Sequence, residues 1–407
     1  MRERAVRVIE ECRNIATMSE EPGRIVRRFL TSPVQDVHVH LRSRMESLGM
    51  TTHVDAVGNL RGLWQPATGG EKRLLIGSHI DTVPDAGAFD GVLGVALALE
   101  WVQLARELAF PIAIEVIAFS EEEGVRFGVP FFGSRAVAGR FDPALLSLKD
   151  ADGITLAAAI RNFGLDPAQI PAAAADHRAI GFIEIHIEQG PALEAEGLSV
   201  AAVTAIVGQT RLAVEFTGQA NHAGTTPMRL RHDALASAAE WITSVEKLAQ
   251  RTEGLVATVG KLNVMPNAGN VIPGSVELSL DVRHTEDRIR RASVEELLDA
   301  ARASSDRRGV SVNWTAKMDE PAVPMDERLT AFLTDSMEAA QLPVRTMPSG
   351  AGHDAMVMAA RMPTAMLFLR SPGGISHSPA ETVREEDVEA ALHVSRRFLE
   401  RLAAEVR

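Results

Sequence analysis

The chain has 407 residues, 46% of them hydrophobic, a formal net charge of −12 and a single cysteine, Cys12. That length exceeds what one hydrophobic core supports, so two or more domains are expected. The acidic balance argues against nucleic acid as a partner, and one cysteine excludes both an intrachain disulfide and a thiolate metal cage.

The opening segment, MRERAVRVIEECRNIATMSE, spaces Val6, Ile9, Cys12, Ile15 and Ala16 as one helix face and lacks the apolar core of a signal peptide. A second helix is expected over 34–48, and a Gly-Asn between two extended runs marks a hairpin over 52–64. KRLLIGSH (72–79) reads as a buried strand, 91–109 as an Ala- and Leu-rich helix, and PIAIEVIAFS (111–120) as the next buried strand. The apolar run around that strand falls far short of the ~20 residues a membrane span needs, so a soluble, cytoplasmic protein with no membrane partner is expected. The alternation implies a largely parallel α/β sheet. The Ala-rich stretch 140–180 reads mostly as helix, and 181–190 as a strand with a loop after it.

From 210 the pattern changes. TRLAVEFTGQ (210–219) alternates apolar and polar residues, 233–250 is an amphipathic helix, and VATVGKLNVM, VELSLDVRH and VSVNWTAKM read as strands with a helix near 286–304. That β-α-β-β-α-β order is ferredoxin-like. The expected organisation is therefore a catalytic domain in two parts, 1–209 and 325–407, around an inserted α+β domain at 210–324. The closing elements are a helix near 326–341, a loop at 346–354, the strand PTAMLFLR, the loop SPGGISHSPAE and a helix from 384.

Polar residues collect at the expected strand ends, where open α/β sheets place their sites. In GSHID, His79 and Asp81 share one side of a strand, so Asp81 can orient the imidazole. Asp90 follows in GAFDGV; alone it also reads as a helix N-cap. Three consecutive carboxylates in FSEEEGVRF (119–127) repel one another unless a cation intervenes, although an exposed acidic loop has the same composition. EIHIEQG adds His186 and ISHSPAE adds His377 near Glu381; separately these read as a structural and a solvated histidine. Together, His79, Asp90, a Glu of the triplet, His186 and His377 form an all-nitrogen-and-oxygen donor set suited to two divalent ions that share a carboxylate and activate water for hydrolysis.

GSHIDTVPDAGAFDG, SEEEGVRF, HIEQGPALE, GQANHAGTTPM, NVIPG, DVRH, SGAGHDAM and GISHSPAE, in this order along the chain, resemble the motif set of the allantoate amidohydrolase, N-carbamoyl-L-amino-acid hydrolase and β-ureidopropionase group of the aminoacylase/carboxypeptidase metallohydrolase superfamily. The resemblance implies His79, Asp90 (bridging), Glu123, His186 and His377 as ligands of two divalent ions, manganese or zinc, with cobalt or nickel also accommodated. It implies Glu122 as general base, with Glu121 as the alternative if the triplet shifts by one, and Asp81 as the residue holding His79. It further implies a lid domain that pairs two subunits into a homodimer and carries His222 to stabilise the oxyanion and Asn270 and Arg283 to hold a substrate carboxylate. Gln189, Gln209, Gly350 and Ala351 are implied as substrate contacts, with His353 beside them.

The implied reaction is hydrolysis of a ureido bond in a small carboxylate, first allantoate, with N-carbamoyl-L-amino acids as the alternative substrates. A peptidase is another reading within the superfamily, set against by HIEQG and GISH. A binding protein that kept the fold without catalysis is a further one, set against by the five filled ligand positions.

Overall fold

The computed structural model describes residues 1–67 and 70–406. They divide into two compact units, Met1–Thr204 with Met325–Arg407, and Ala205–Pro324. In the first unit the strands lie side by side in the order Thr51–Val54, Leu60–Trp64, Ala113–Phe119, Arg73–His79, Ala179–Ile187 and Thr364–Leu369. The last four are mutually parallel. The strands at the first edge run antiparallel, as does Val200–Ala202 against Thr364–Leu369.

Ala113–Phe119 and Thr364–Leu369 are buried at every position, which explains why the second reads as an unbroken apolar run and the first as one interrupted only by Glu115, rather than as alternating patterns. Helices Arg2–Ala16, Val92–Glu107 and Glu385–Val406 pack on this sheet and on one another, with Trp101 against Phe398 at 5.3 Å between ring centroids. Gly94 sets the closeness of that packing. A Cβ there would lie 2.1 Å from the Ile185 carbonyl oxygen, so only glycine lets the helix lie directly on the strand that carries His186.

The structure corrects the reading of 140–180. Only Leu156–Asn162 is α-helical there; Pro143–Ser147 and Pro167–Ala173 are short 3-10 segments. The alanines favour helix, but Pro143, Pro167 and Pro171 remove donors, and the Asp142, Thr155 and Asp166 side chains each cap a fresh start. Residues 346–349, expected as loop, form a short strand, Thr346–Ser349, at the sheet margin.

In the second unit four antiparallel strands lie in the order Ser311–Glu320, Gly208–Thr217, Ser275–His284, Val256–Met265. Helices Ala234–Arg251 and Asp287–Arg308 cover one face, where Leu212, Val214, Phe216, Trp241, Leu278 and Leu280 are buried. The alternation of buried and more open positions along Gly208–Thr217 and Ser275–His284 leaves Gln209, Arg211, Asp281 and Arg283 on the uncovered face. Among the described residues no helix is long and apolar enough to cross a membrane.

Candidate active site

Parallel strands deliver the site. His79 is the last residue of its strand and lies opposite Phe119 in the register, so the Glu121–Glu123 turn begins just past it. His186 lies opposite Phe368, two residues before the loop that holds His377 begins. Asp90 precedes helix Val92–Glu107. Side chains nearly three hundred residues apart thus meet at one end of one sheet.

Asp90 is the centre of the cluster. Its Oδ1 lies 3.3 Å from His186 Nε2 and 3.9 Å from His79 Nε2. Its Oδ2 lies 3.2 Å from His377 Nε2, which is 3.5 Å from Glu123 Oε1. His79 donates from Nδ1 to the Asp81 carbonyl at 3.0 Å, and His186 from Nδ1 to the Ile187 carbonyl at 2.9 Å. Those bonds fix both tautomers with the Nε2 lone pair facing inward. The two Nε2 atoms are 3.4 Å apart, so two imidazole lone pairs and a carboxylate oxygen converge on one point. Asp90 Oδ2 is buried without a hydrogen-bond partner among the described residues. Lone pairs aimed at one another are what a cation relieves, and the donor set suits a divalent ion. His79, Asp90 and His186 form one group able to hold a metal, and Asp90, Glu123 and His377 form another; Glu122 and Glu123 can share a third with His79.

The acids behind the cluster are far from their ordinary ionisation. Burial, then the carboxylates of Glu123, Asp354, Asp81 and Glu184, push the Glu122 carboxyl well above the usual range. Burial and then Asp90 raise Glu123 to about 7. Burial opposes the charge on Asp90, yet His377, His186 and His79 outweigh it and hold this carboxyl below the usual range. The Asp90 carboxylate beside it raises His377 to about 9.

Two expected roles differ in detail. Asp81 meets His79 mainly through its backbone carbonyl, its carboxylate being 3.7 Å away. The carboxylate oxygens instead accept the backbone N–H groups of Glu122 and Glu123, each at 3.0 Å. Asp81 therefore fixes the turn that carries both glutamates. The Gln189 amide, expected to face substrate, donates to Asp90 Oδ1 at 3.1 Å and lies 3.3 Å from Ser376 Oγ.

Glu121 is turned away from the cluster. Its φ is +52°, its Oε1 accepts from Arg126 N at 3.1 Å, and its carbonyl accepts from Phe131 N. His353, buried, bonds Ser349 Oγ at 2.9 Å and packs edge-on against the His186 ring, with centroids 4.5 Å apart. Ser349 Oγ also donates to the Ala351 carbonyl and accepts its N–H, so the loop bearing Gly350 and Ala351 is shaped from within.

Sequence reasoning missed the supports. Glu381 Oε1 accepts the Phe89 and Asp90 N–H groups at 2.9 and 3.0 Å, and Ser376 donates to its other oxygen. Glu184, fully buried, takes Ser78 Oγ and Ala355 N. The signal for Glu184 was present: a carboxylate two residues before His186 in a strand otherwise apolar.

In the second unit, His222 Nδ1 accepts the N–H groups of Gly224 and Thr225 at 3.0 and 3.2 Å. That leaves the proton on Nε2, an exposed donor. The Asn270 carbonyl accepts from Ala223 N at 2.9 Å, holding the Asn270 and His222 segments together. Arg283 grips Asp281 through Nε and Nη2, at 2.9 and 3.0 Å, and Gln209 Nε2 donates to the same carboxylate at 2.7 Å.

Residues 75–401 match the peptidase family M20/M25/M40. An allantoate amidohydrolase of Escherichia coli strain K12 is 38% identical over 382 residues, 92% of each chain. An N-carbamoyl-L-amino acid amidohydrolase of Geobacillus stearothermophilus is 37% identical over 94% of each. The crystal structure of an amidase of the hydantoinase/carbamoylase family from Burkholderia multivorans matches with a TM-score of 0.91 at 31% identity, over 98% of this chain and 97% of its own.

Proposed function

The chain belongs to peptidase family M20/M25/M40 and, within it, to the amidohydrolase group of allantoate and N-carbamoyl-amino-acid hydrolases, and we propose that it hydrolyses a ureido C–N bond in a small carboxylate. Allantoate is the first substrate, giving ureidoglycine, ammonia and carbon dioxide. The observation that carries the reading is the convergence of His79, Asp90, Glu123, His186 and His377 on inward-facing lone pairs.

These five residues would hold two divalent ions, manganese or zinc, with Asp90 common to both groups. Such ions supply Lewis acidity and make water acidic enough to be activated near neutral pH. Glu122 takes the proton of the attacking water and later gives it to the leaving nitrogen; a raised carboxyl pKa suits both transfers. Glu121 Oε1 is taken up by the Arg126 and Phe127 N–H groups, which supports Glu122 as the base. His222, with its proton on Nε2, donates to the oxygen that gains charge as the carbonyl is attacked. Arg283 and Asn270 receive the substrate carboxylate.

N-carbamoyl-L-amino acids remain the second substrate class, since relatives acting on them are as similar as those acting on allantoate. A cytoplasmic homodimer pairing through the 205–324 unit is part of the same reading, supported by Val256, Leu262 and Met265 exposed on its edge strand.

Ammonia release from allantoate and from a panel of N-carbamoyl-L-amino acids, with metal content measured on the same sample, tests the proposal. Glu122→Gln is expected to cut turnover by about 10²–10⁴-fold with metal content intact, and Glu121→Gln to leave turnover far higher. Near-normal turnover in Glu122→Gln removes the assignment.

A further inference from the structure

The stretch HIEQGPALE contains two acids, Glu188 and Glu194, that neither the metal-holding groups nor the reaction scheme uses. Glu188 accepts the Ala192 and Leu193 N–H groups at 2.7 and 3.0 Å, and so starts the short helix Ala192–Glu196. Glu194 reaches from that helix to the loop that follows strand Thr364–Leu369. Its Oε2 accepts the Gly373 N–H, and its Oε1 accepts from Arg384 Nη2 at 2.7 Å. One carboxylate thus holds both arms of the loop, with His377 between them.

That loop needs a hold from outside. Apart from the 3-10 turn Pro372–Gly374 it has no regular structure before helix Glu385–Val406. His377 lies in it at φ +54°, a conformation that persists in an L-residue only where the surroundings impose it. The His79 and His186 rings are buried, and each is tied at Nδ1 to a backbone carbonyl. The His377 ring is half-exposed. Among the described residues it has no bond of that kind, and its polar contacts run through Nε2. Where this ring lies therefore depends on the path of the loop. Glu381 secures that path from within, through Ser376. On the other side the loop rests on residues 189–191: Gln189 N donates to Ser371 Oγ at 2.9 Å, and a Cβ on Gly374 would lie 2.9 Å from Pro191 N. Glu194 secures it there.

We propose that Glu194 is a positioning residue for the metal centre: by gripping Gly373 and Arg384 it sets the loop where His377 completes the group formed with Asp90 and Glu123. The inference rests on the reading of that group as a metal site. Fold stability does not account for the grip. The Glu194 and Arg384 side chains are 33% and 43% exposed, and ion pairs of that kind contribute little to stability. What the grip does fix is the placement of a ligand, and groups that orient ligands in this way govern metal affinity. Glu196, two residues further along the same helix, pairs with Arg345 instead of the loop. It therefore serves as a control for disturbance of the helix itself.

Manganese ion is titrated into the metal-stripped full-length chain, with free ion followed by electron paramagnetic resonance. The unaltered chain is expected to show two binding steps. In Glu194→Ala one step should weaken by about 10–100-fold and the other should stay within about threefold, with a native melting profile for the metal-free protein. Glu194→Gln keeps an acceptor for the Gly373 N–H and should lose less. Glu196→Ala should leave both steps unchanged. His377→Ala should weaken the same step as Glu194→Ala, and adding Glu194→Ala to it should cost nothing further, because the two act on one interaction; a general loosening of the fold would add. The inference is overturned if Glu194→Ala binds both ions as the unaltered chain does, if it weakens both steps alike, or if its cost is the same with and without His377. If the unaltered chain takes up fewer than two ions, the reading of the site fails and the inference with it. Should Glu194→Ala not fold, Arg384→Gln releases one half of the grip and should weaken the same step by a smaller factor; two unchanged steps there overturn the inference.

Discussion

Replacing Gly91 by alanine places a methyl carbon where the His79 ring already lies. A Cβ built on Gly91 falls 2.5 Å from His79 Cδ2, Cε1 and Nδ1 together, so it presses on the flat of the imidazole. Ordinary carbon contacts begin near 3.5 Å, so the ring must retreat by about 1 Å. Its freedom to do so is small: Nδ1 is tied to the Asp81 carbonyl, and the His186 ring stacks on it with centroids 5.6 Å apart. Backbone strain adds to this, since Gly91 has φ +67° and ψ −53°, a region that costs an L-residue about 1–3 kcal/mol. Overpacking costs about 1–3 kcal/mol more. A ligand displaced by 1 Å costs on the order of 10²-fold in rate. The assay is kcat/KM for ammonia release with metal in excess, together with metal content and a melting curve. Gly153→Ala, with φ +77° and open space around its Cβ, is the control for backbone strain alone. The reasoning is refuted if Gly91→Ala binds wild-type metal and retains kcat/KM within threefold.

Glu381→Ala strips the Phe89 and Asp90 N–H groups of their acceptor in a buried turn, and about 1–3 kcal/mol is expected for each unpaired donor. Metal affinity should fall by about 10–100-fold by calorimetric titration, with Glu381→Gln close to wild type. Far from the site, His38 is packed edge-on against Phe163 and burial pushes it down from 6.5 to about 4. Its folded pKa lies below the unfolded one, so the unfolded chain takes the proton first. The stability it sustains is intact above pH 6.5 and drains as pH falls toward 4, by about 2 kcal/mol at pH 5. His38→Leu should remove that share of the acid sensitivity; equal shifts in urea midpoint between pH 7 and pH 5 for variant and wild type would defeat it.

The elements were readable where one signal dominated. Apolar runs such as 113–119, interrupted only by Glu115, gave strands buried on both faces, and the alternation in 210–219 gave most of a strand covered on one side. Residues 140–180 misled because alanine content and proline placement pulled in opposite directions, and proline, which removes donors outright, prevailed. At the site, residue types disclosed which chemistry was present but not which oxygen faced where. The Glu triplet shows the limit. Spacing could not tell which of Glu121 and Glu122 faces the histidines; Glu121 sits in a left-handed turn (φ +52°) while Glu122 lies with His79, and no local pattern demands that turn. Motif position points to Gln189 and Gln209 as substrate contacts, and it does not disclose that their amides donate to Asp90 and Asp281.

Among the carboxylates at the strand ends, hydrogen bonding separates those that brace loops from those that face the histidines. Asp81, Glu121, Glu184, Glu188 and Glu381 each accept at least one backbone N–H: Asp81 from Glu122 and Glu123, Glu188 from Ala192 and Leu193, the others as described. Carboxyl groups engaged in this way brace the loops that follow the strands. The side chains of Asp90, Glu122 and Glu123 receive no backbone N–H among the described residues and lie with His79, His186 and His377; buried Asp354 also lacks one and stands outside these groups. A carboxylate placed in a buried loop with few donors is costly unless a cation or a proton meets it. The expense is tolerable only because the other set holds the strand ends rigid around it. Losing a brace should therefore cost both stability and metal affinity, while losing an unbraced acid should cost metal or turnover and leave the apo fold as stable as before, or more so.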